Sequence, residues 1–396
     1  MFDITIIGTG IVGLAAGLKI LEKNPKLKIL FLEKENNISQ HQTGNNSGVI
    51  HSGIYYKPGS LKAKNCINGY NQLLEFCSTQ NIKFDICGKL IVATKESEIP
   101  YLNKLFDRGI ENGLKGLRKL SNEEVTEYEP HVRGVAGIFV PETGIIDFMD
   151  VAKRYAEVIK SYNAEFIFNE EVIDIKTKTE HSEVITKNGS YKTKKVVSCA
   201  GLFSDRIAKK TNPELLLRII PFRGEYYKLK DEKKYLVKNL IYPVPDPDFP
   251  FLGVHFTRMI DGGIEAGPNA VLAFHREGYK KSDINFRDSW ETFTWPGFIN
   301  VAKKYWRVGF GEFYRSYSKS AFVNALQKLI PEIASKDLVP GGAGVRAQAC
   351  DKHGGLLDDF YIIGNEKIHH VCNAPSPAAT ASLSIGEHIA EKILSN

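Results

Sequence analysis

None of the six cysteines, Cys66, Cys77, Cys87, Cys199, Cys350 and Cys372, stands in a CxxC pair or in a Cys/His cluster with zinc-finger spacing. That absence argues against a disulfide framework and a structural metal, and for reduced thiols in a cytosolic protein. No apolar run approaches the ~18 residues that cross a bilayer. Met1 is followed almost at once by an apolar strand, so no signal or transit peptide is expected either. Charge of one sign is scarce: 52 basic and 46 acidic side chains leave a formal +6 over 396 residues. So mild and diffuse an excess suits an anionic ligand or a membrane surface and argues against nucleic acid as a partner. Internal repeats and low-complexity tracts are also missing, which excludes a solenoid.

What is present is enough apolar sequence to fill more than one core. A chain of this length exceeds the size at which a single core stops growing, so two closely joined domains are expected. FDITII (2–7) is a short apolar run suited to a buried parallel strand, and GTGIVGLAAG follows at once. This is GxGxxG at Gly8, Gly10 and Gly13, with Ile11 and Val12 between the last two. The first glycine permits the tight turn, the second lets a pyrophosphate approach the backbone, and the third lets helix 11–23 pack on the strand. The helix N-terminus then offers free N–H groups and partial positive charge to phosphates. A second apolar run, LKILFLEK (27–34), ends in Glu33, placed to accept hydrogen bonds from an adenosine ribose. Strand, motif, helix, strand and terminal acid in this order predict a dinucleotide with an unphosphorylated ribose and leave NAD and FAD both open.

An NAD enzyme usually continues in regular β/α alternation. This chain instead enters HQTGNNSGVIHSGIYYKPGSLKA (41–63), whose glycines and amides suit a flat heterocycle held along the backbone. That stretch resembles the L-2-hydroxyglutarate dehydrogenase/oxidase family of FAD-dependent oxidoreductases. Further matches follow in the family's order: CGKLIVAT (87–94), TGIIDF (143–148), VVSCAGLFSDRIA (196–208), IPFRGEYYKL (220–229), YPVPDPDFPFLGVHFT (242–257), GPNAVLAF (267–274), GAGVRAQACD (342–351) and NAPSPAATASL (373–383). The resemblance implies an α/β fold: a discontinuous, Rossmann-like FAD-binding domain, roughly 1–85, 146–218 and 336–396. A mostly antiparallel α+β substrate domain, 86–145 and 219–335, would roof the flavin. The residues agree, since IPFRGEYYKLK, FLGVHFTRM and GGIEAGPNAVLAF read as antiparallel strands, and DVAKRYAEVIKSY (150–162) has helical spacing.

No flavin-attachment motif is recognised, so the FAD is expected to be non-covalent, and the resemblance implies a set of contacts to it. These are Gly8, Gly10, Ile11, Val12, Gly13, Glu33 and Lys34 from the first unit. Asn45, Asn46, Ser47, Gly48, Val49 and Ile50 follow from the loop, and Val172, Cys199, Ala200, Gly201 and Asp205 from the middle of the chain. Gly344, Arg346, Asn373, Ser376, Pro377 and Ala378 complete it near the C-terminus. The same resemblance brings His51 to the flavin's reactive side. Oxidising an alcohol requires loss of the hydroxyl proton as hydride leaves, and a neutral imidazole is a suitable acceptor. His41 at the loop's entrance has no assigned role. Ser376 or Pro377 is expected to open the last helix, whose N-terminus would stabilise negative charge on the reduced flavin. Arg346 is the first choice for clamping a substrate carboxylate with its forked guanidinium. His255, Arg223, Lys57, Asn269 and Tyr55 are candidates for a hydrogen-bonding, cationic roof over a five-carbon diacid, with Tyr226 beside them.

The implied reaction is oxidation of L-2-hydroxyglutarate to 2-oxoglutarate by hydride transfer from C2 to flavin N5. Electrons would pass to a quinone, another acceptor or oxygen. Another 2-hydroxy acid, glycerol 3-phosphate or an amino acid on the same fold is the alternative, because function lives in the site rather than the fold. A nucleotide-binding module without turnover is a third reading. All three tryptophans fall in SWETFTWPGFINVAKKYWRVGF (289–310), with Lys303, Lys304 and Arg307 interleaved. Two readings of that stretch stand: a peripheral membrane contact on the cytoplasmic side, or core and oligomer packing.

Overall fold

The structure, a computed structural model, describes residues 1–246 and 252–395; residues 247–251, inside the quoted stretch 242–257, lie outside the described residues. FDITII forms the strand Phe2–Ile7, buried over its last four residues, because parallel neighbours cover both its edges. These neighbours are Ile29–Leu32 on one side and Ser190–Ser198 on the other, with Glu165–Ile167 and Ile368–Asn373 extending the parallel set outward. A hairpin of Val172–Thr177 and Ser182–Thr186 joins the first half of Ser190–Ser198. Continuous burial in this sheet follows from helices on its faces. Ile11–Lys23 packs there between Phe148–Ser161 and Ser382–Leu394.

The helix expected over 150–162 forms as Phe148–Ser161. Asp147 caps it, its carboxylate accepting from the Met149 N–H at 2.8 Å. Phe148, Val151, Ala152, Tyr155, Ala156 and Ile159 make one buried stripe at helical spacing, which fixes the face turned to the sheet.

The second layer is a nine-stranded, mostly antiparallel sheet. It contains the strands expected from the apolar runs, Leu217–Leu229, His255–Arg258, Ile264–Gly267 and Val271–Leu272, together with Leu240–Pro243, Lys89–Ala93, Ala136–Val140 and Arg118–Ser121. One pairing in it is parallel, Leu240–Pro243 with Lys89–Ala93. The ninth strand, Leu338–Asp351, pairs antiparallel with Leu217–Leu229 along its whole length, from Leu217 opposite Asp351 to Leu229 opposite Leu338. A small third sheet of Val49–Ile50, Gly144–Ile146 and Phe84–Asp85 ties the polar loop to the roof.

Two sequence expectations change. The last helix begins at Ser382, not at Ser376 or Pro377. Residues 375–381 fold as turns in which Pro375 and Pro377 carbonyls accept from Ala378 and Ala381, so the prolines shape the approach to the helix instead of opening it. The tryptophan-rich stretch divides. Trp295 is buried with Phe298 and Val301, its indole N–H donating to the Cys350 and Asp351 carbonyls at 3.2 Å, whereas Trp290 and Trp306 are 62% and 55% exposed.

A buried ion-pair network joins the layers. Arg276, 1% exposed, donates to both oxygens of Asp205 and to the Leu202 carbonyl, while Asp205 also accepts from the Ile219 N–H at 3.0 Å. Arg206, Asp288 and Glu291 extend it. Removing one member strands a buried charge. Asp205→Ala is therefore expected to lower the unfolding free energy by about 3–5 kcal/mol in urea titrations. Asp205→Leu combined with Arg276→Met should recover most of the loss.

Candidate active site

The glycine motif builds a turn that is closed on two sides and open on one. Gly8 has φ +94°, and a Cβ there would stand 2.6 Å from the Cys199 carbonyl oxygen; at Gly13 it would stand 2.2 Å from the Gly8 oxygen. At Gly10 the only atom met within 4 Å among the described residues is Thr43 Oγ1, at 3.5 Å. Thr43 Oγ1 accepts from the Ile11 N–H at 3.0 Å, so the loop after the second strand reaches the helix N-terminus directly. Glu33 ends the second strand, buried, and accepts from the Thr9 N–H and hydroxyl at 2.8 and 2.7 Å. Ala200 and Gly201 leave the neighbouring strand end without bulk, Gly201 at φ +50°. An accessible backbone, a carboxylate at the strand end and small residues opposite fit the pyrophosphate and ribose of FAD. Val12 is half-buried at the same helix start, while Val172 is buried in the outer hairpin.

Lys34 and His41 have another occupation. Lys34 pairs with Glu35 and Glu277, and His41 contacts Glu35 at 2.9 Å, Glu277 at 3.0 Å and the Tyr279 hydroxyl at 2.9 Å. These contacts fasten the start of the loop to the roof. Burial, and to a lesser degree the Lys34 charge, lower the His41 pKa against the opposing pull of Glu35.

The polar loop is held by its own amides. The Asn45 side chain donates to the Gln40 and His41 carbonyls, Asn46 donates to the Thr43 carbonyl, and Asn46 Oδ1 accepts from the Gly48 N–H at 2.8 Å. Ser47 is half-buried between them. Val49 and Ile50 then enter the three-stranded sheet, and the His51 N–H donates to Thr380 Oγ1 at 3.1 Å. The loop thereby meets the C-terminal turns that carry Ser376, Pro377 and Ala378, and His51 Nε2 lies 3.4 Å from the Ser376 hydroxyl.

Around His51 the chain gathers cations and aromatic rings. Burial, then Lys89, His255 and Lys62, push the His51 pKa down to about 3, so its imidazole is neutral near pH 7. Lys89 Nζ sits 4.5 Å from the Tyr55 ring centroid and 5.1 Å from that of Tyr242. His255 stacks on Tyr242 at 3.9 Å between centroids, and its Nδ1 lies 2.9 Å from the Gly253 carbonyl. That contact places the proton of the neutral ring on Nδ1 and leaves Nε2 as an acceptor. Burial lowers His255 to about 3 as well, with Arg346 and Lys89 adding to the effect. Arg346 stands opposite Phe222 in the long ladder; burial depresses its pKa, and Tyr226 and Glu312 act against that. Gly344, two residues earlier, brings the same strand against the Asn45 carbonyl.

Five other sequence candidates lie elsewhere or are engaged. Arg223 is bound to Glu225 and to the Lys280 and Gly278 carbonyls, and Asn269 exchanges hydrogen bonds with Glu225. Asp205 belongs to the ion-pair network, and the Asn373 side chain holds Leu357, Asp359 and Ala349 backbone groups. Lys57 is exposed on a turn. The reading of the residues missed Lys89 and Tyr242. A lysine opening the otherwise apolar strand KLIVA was the available signal, since a strand buried at every position has no solvated side for it.

Comparison with known proteins adds findings of three kinds. A family profile described as FAD dependent oxidoreductase matches residues 3–392. L-2-hydroxyglutarate dehydrogenase of Indibacter alkaliphilus is 58% identical over 391 residues, 98% of each chain. The Escherichia coli K12 and Bos taurus mitochondrial proteins of the same name are 43% and 48% identical, covering 99% of this chain and 93% and 88% of theirs. Among solved structures, L-alpha-glycerophosphate oxidase from Mycoplasma pneumoniae with FAD bound has a TM-score of 0.80 at 24% identity, covering 99% of this chain and 94% of that one. Glycine oxidase from Bacillus cereus has a TM-score of 0.74 at 16% identity, covering 100% and 95%.

The depressed histidines give the pocket an acid-sensitive stability. His255 takes up a proton on unfolding at any pH between its folded value of about 3 and the model-peptide 6.5. Its contribution is therefore full above about pH 6.5 and is lost as pH falls toward 3, at up to about 1.4 kcal/mol per unit. Urea unfolding at pH 7 and pH 5 is expected to show a smaller acid loss in His255→Gln than in the unaltered protein.

Proposed function

The chain belongs to the FAD dependent oxidoreductase family and, within it, to the L-2-hydroxyglutarate dehydrogenases; from that premise we propose that it oxidises L-2-hydroxyglutarate to 2-oxoglutarate. The observation that carries the reading is a neutral His51 set among Lys89, His255 and Arg346, a pocket built for an anionic alcohol. FAD, held non-covalently, supplies the two-electron acceptor for the hydride that leaves C2. The domain division 1–85, 146–218 and 336–396 against 86–145 and 219–335 is kept as part of this reading. Leu338–Asp351 serves both parts, paired within the roof sheet while bringing Arg346 toward the pocket.

The chain's residues bind, orient and take up the proton. Arg346 presents two parallel N–H donors to one carboxylate, which fixes the rotation of C2. His51 Nε2 accepts the hydroxyl proton, and Ser376 beside it orients the ring. A base with a pKa of about 3 is weak by itself, and the substrate corrects this. Its negative charge opposes the positive charges of Lys89 and Lys62 that act on His51, so proton affinity rises when the correct anion is bound. The Tyr55 and Tyr242 rings keep water from the reacting face.

The electrons are read as passing to a quinone, another acceptor or oxygen, with the protein lying peripherally on the cytoplasmic face of the inner membrane. No helix among the described residues is long and apolar enough to cross a membrane. What supports peripheral contact is the pair of helices Phe286–Phe293 and Pro296–Tyr317, which expose Phe286, Trp290, Trp306, Phe310, Tyr314 and Tyr317. Lys303, Lys304 and Arg307 lie among them, a mixture suited to headgroup level.

Anaerobic titration of the FAD-loaded protein with each enantiomer of 2-hydroxyglutarate tests the reaction. Bleaching of the flavin by the L form alone is expected, and bleaching by neither enantiomer would sink the assignment. His51→Ala should retain FAD and slow the bleaching by about 100-fold or more. Sedimentation with anionic vesicles tests the surface: Trp306→Ser with Phe310→Ser is expected to leave the protein in the supernatant while turnover with a soluble dye is unaltered.

A further inference from the structure

Lys89 is the one side chain in the pocket whose burial no role above explains. It opens the strand Lys89–Ala93, is 1% exposed, and has its ammonium between the Tyr55 and Tyr242 rings. No ion pair joins it to an Asp or Glu among the described residues, in a chain where Lys62, Arg206, Arg223 and Arg276 all have acidic partners. Two ring faces soften the loss of hydration but supply less than a counter-charge would. A charge kept in that state points to a ligand that brings the missing anion. Lys89 and Arg346 both disfavour the protonated form of His255, and Lys89 is also the strongest charge acting on His51.

We infer that Lys89 receives the distal carboxylate of the substrate while Arg346 holds the one beside C2, which makes Lys89 the residue that selects five-carbon diacids over monoacids. The inference rests on the reaction proposed above. Its physical content is a difference of affinities: a chain of the same length ending in a methyl group leaves the ammonium buried and unanswered. A charge-assisted contact in such a place is worth about 10- to 100-fold in binding.

Burial pushes the Lys89 pKa down to about 7, which gives a second way of reading its part. The groups facing it do not titrate between pH 6 and 9. Cys66, on the helix Leu61–Thr79, is raised to about 12; Tyr55 and Tyr242 are raised further by burial; His51 and His255 are already neutral. Loss of the Lys89 proton therefore falls alone in that window. Above about pH 7 the affinity for a diacid should drop by about tenfold per unit, and that for a monoacid should not follow.

The test uses the FAD-loaded holoenzyme with glutarate and pentanoate, unreactive acids of equal length, binding being read from the perturbed flavin absorbance. The unaltered protein is expected to prefer glutarate by about 10- to 100-fold at pH 6.5 and to lose that preference by pH 9. Lys89→Met should bring the two acids within about threefold at every pH, and Lys89→Arg should keep the preference without its alkaline loss. An undiminished preference in Lys89→Met overturns the inference; should that variant not fold, a preference unchanged from pH 6.5 to 9 in the unaltered protein does so. Bleaching by L-2-hydroxyglutarate is measured in the same preparations. If the unaltered protein is not bleached, the assigned reaction fails; if it is bleached and the Lys89 results are negative, only the second carboxylate site falls.

Discussion

The long antiparallel ladder between Leu217–Leu229 and Leu338–Asp351 is the constraint on which the site depends. Its Leu217 end lies by Asp205 and the dinucleotide layer, where Ile219 donates to that carboxylate. Its other end, Leu229 and Leu338, is sunk in the roof core with Phe256, Ile264 and Phe322. Arg346 is near the middle, opposite Phe222, so its position is set by register with both layers. A slip of one residue would turn Arg346 to the opposite face, and thirteen paired positions make that slip costly.

A second constraint is electrostatic. Most of the deeply buried cations are answered by acids: Arg276 by Asp205 and Arg223 by Glu225. The pocket departs from that habit at Lys89, set behind tyrosine rings beside the neutral His51 and His255. The first arrangement stabilises the joint between layers. The second is a strained electrostatic state that an anion relieves, and locally poor pairing of this kind is where a fold gives up stability for binding. The neutral histidines follow from the same cause, since burial and neighbouring positive charge both disfavour their protonated forms.

Much of this was legible in the chain. The helix Ile11–Lys23, the strand Ile29–Leu32 and the helix Phe148–Ser161 follow from local periodicity, and the motif glycines from backbone geometry. Residues that resemblance placed in the roof fared unevenly. His255 lies beside Arg346, whereas Arg223 and Asn269 are tied to Glu225, a partner no spacing rule announces because Asn269 sits in the connection between Ile264–Gly267 and Val271–Leu272 and Glu225 on a distant stretch of chain. Lys89 went unnoticed for the converse reason. Read by itself, a lysine at a strand end is solvated, and only the tertiary cover from Tyr55 and Tyr242 makes it an internal charge. The start of the final helix was misplaced because proline marks a turn as readily as a helix.

Trp295 has a bearing on orientation. Its indole is hydrogen-bonded to the Cys350 and Asp351 carbonyls, on the same strand as Arg346 and a few residues beyond it. Trp295 thus fastens the start of Pro296–Tyr317 to the strand that carries Arg346, and the backbone leaves helical geometry at Tyr305, ahead of the exposed Trp306 and Phe310. The inner half of that helix therefore moves with the sheet, while the outer half takes its direction from the break at Tyr305.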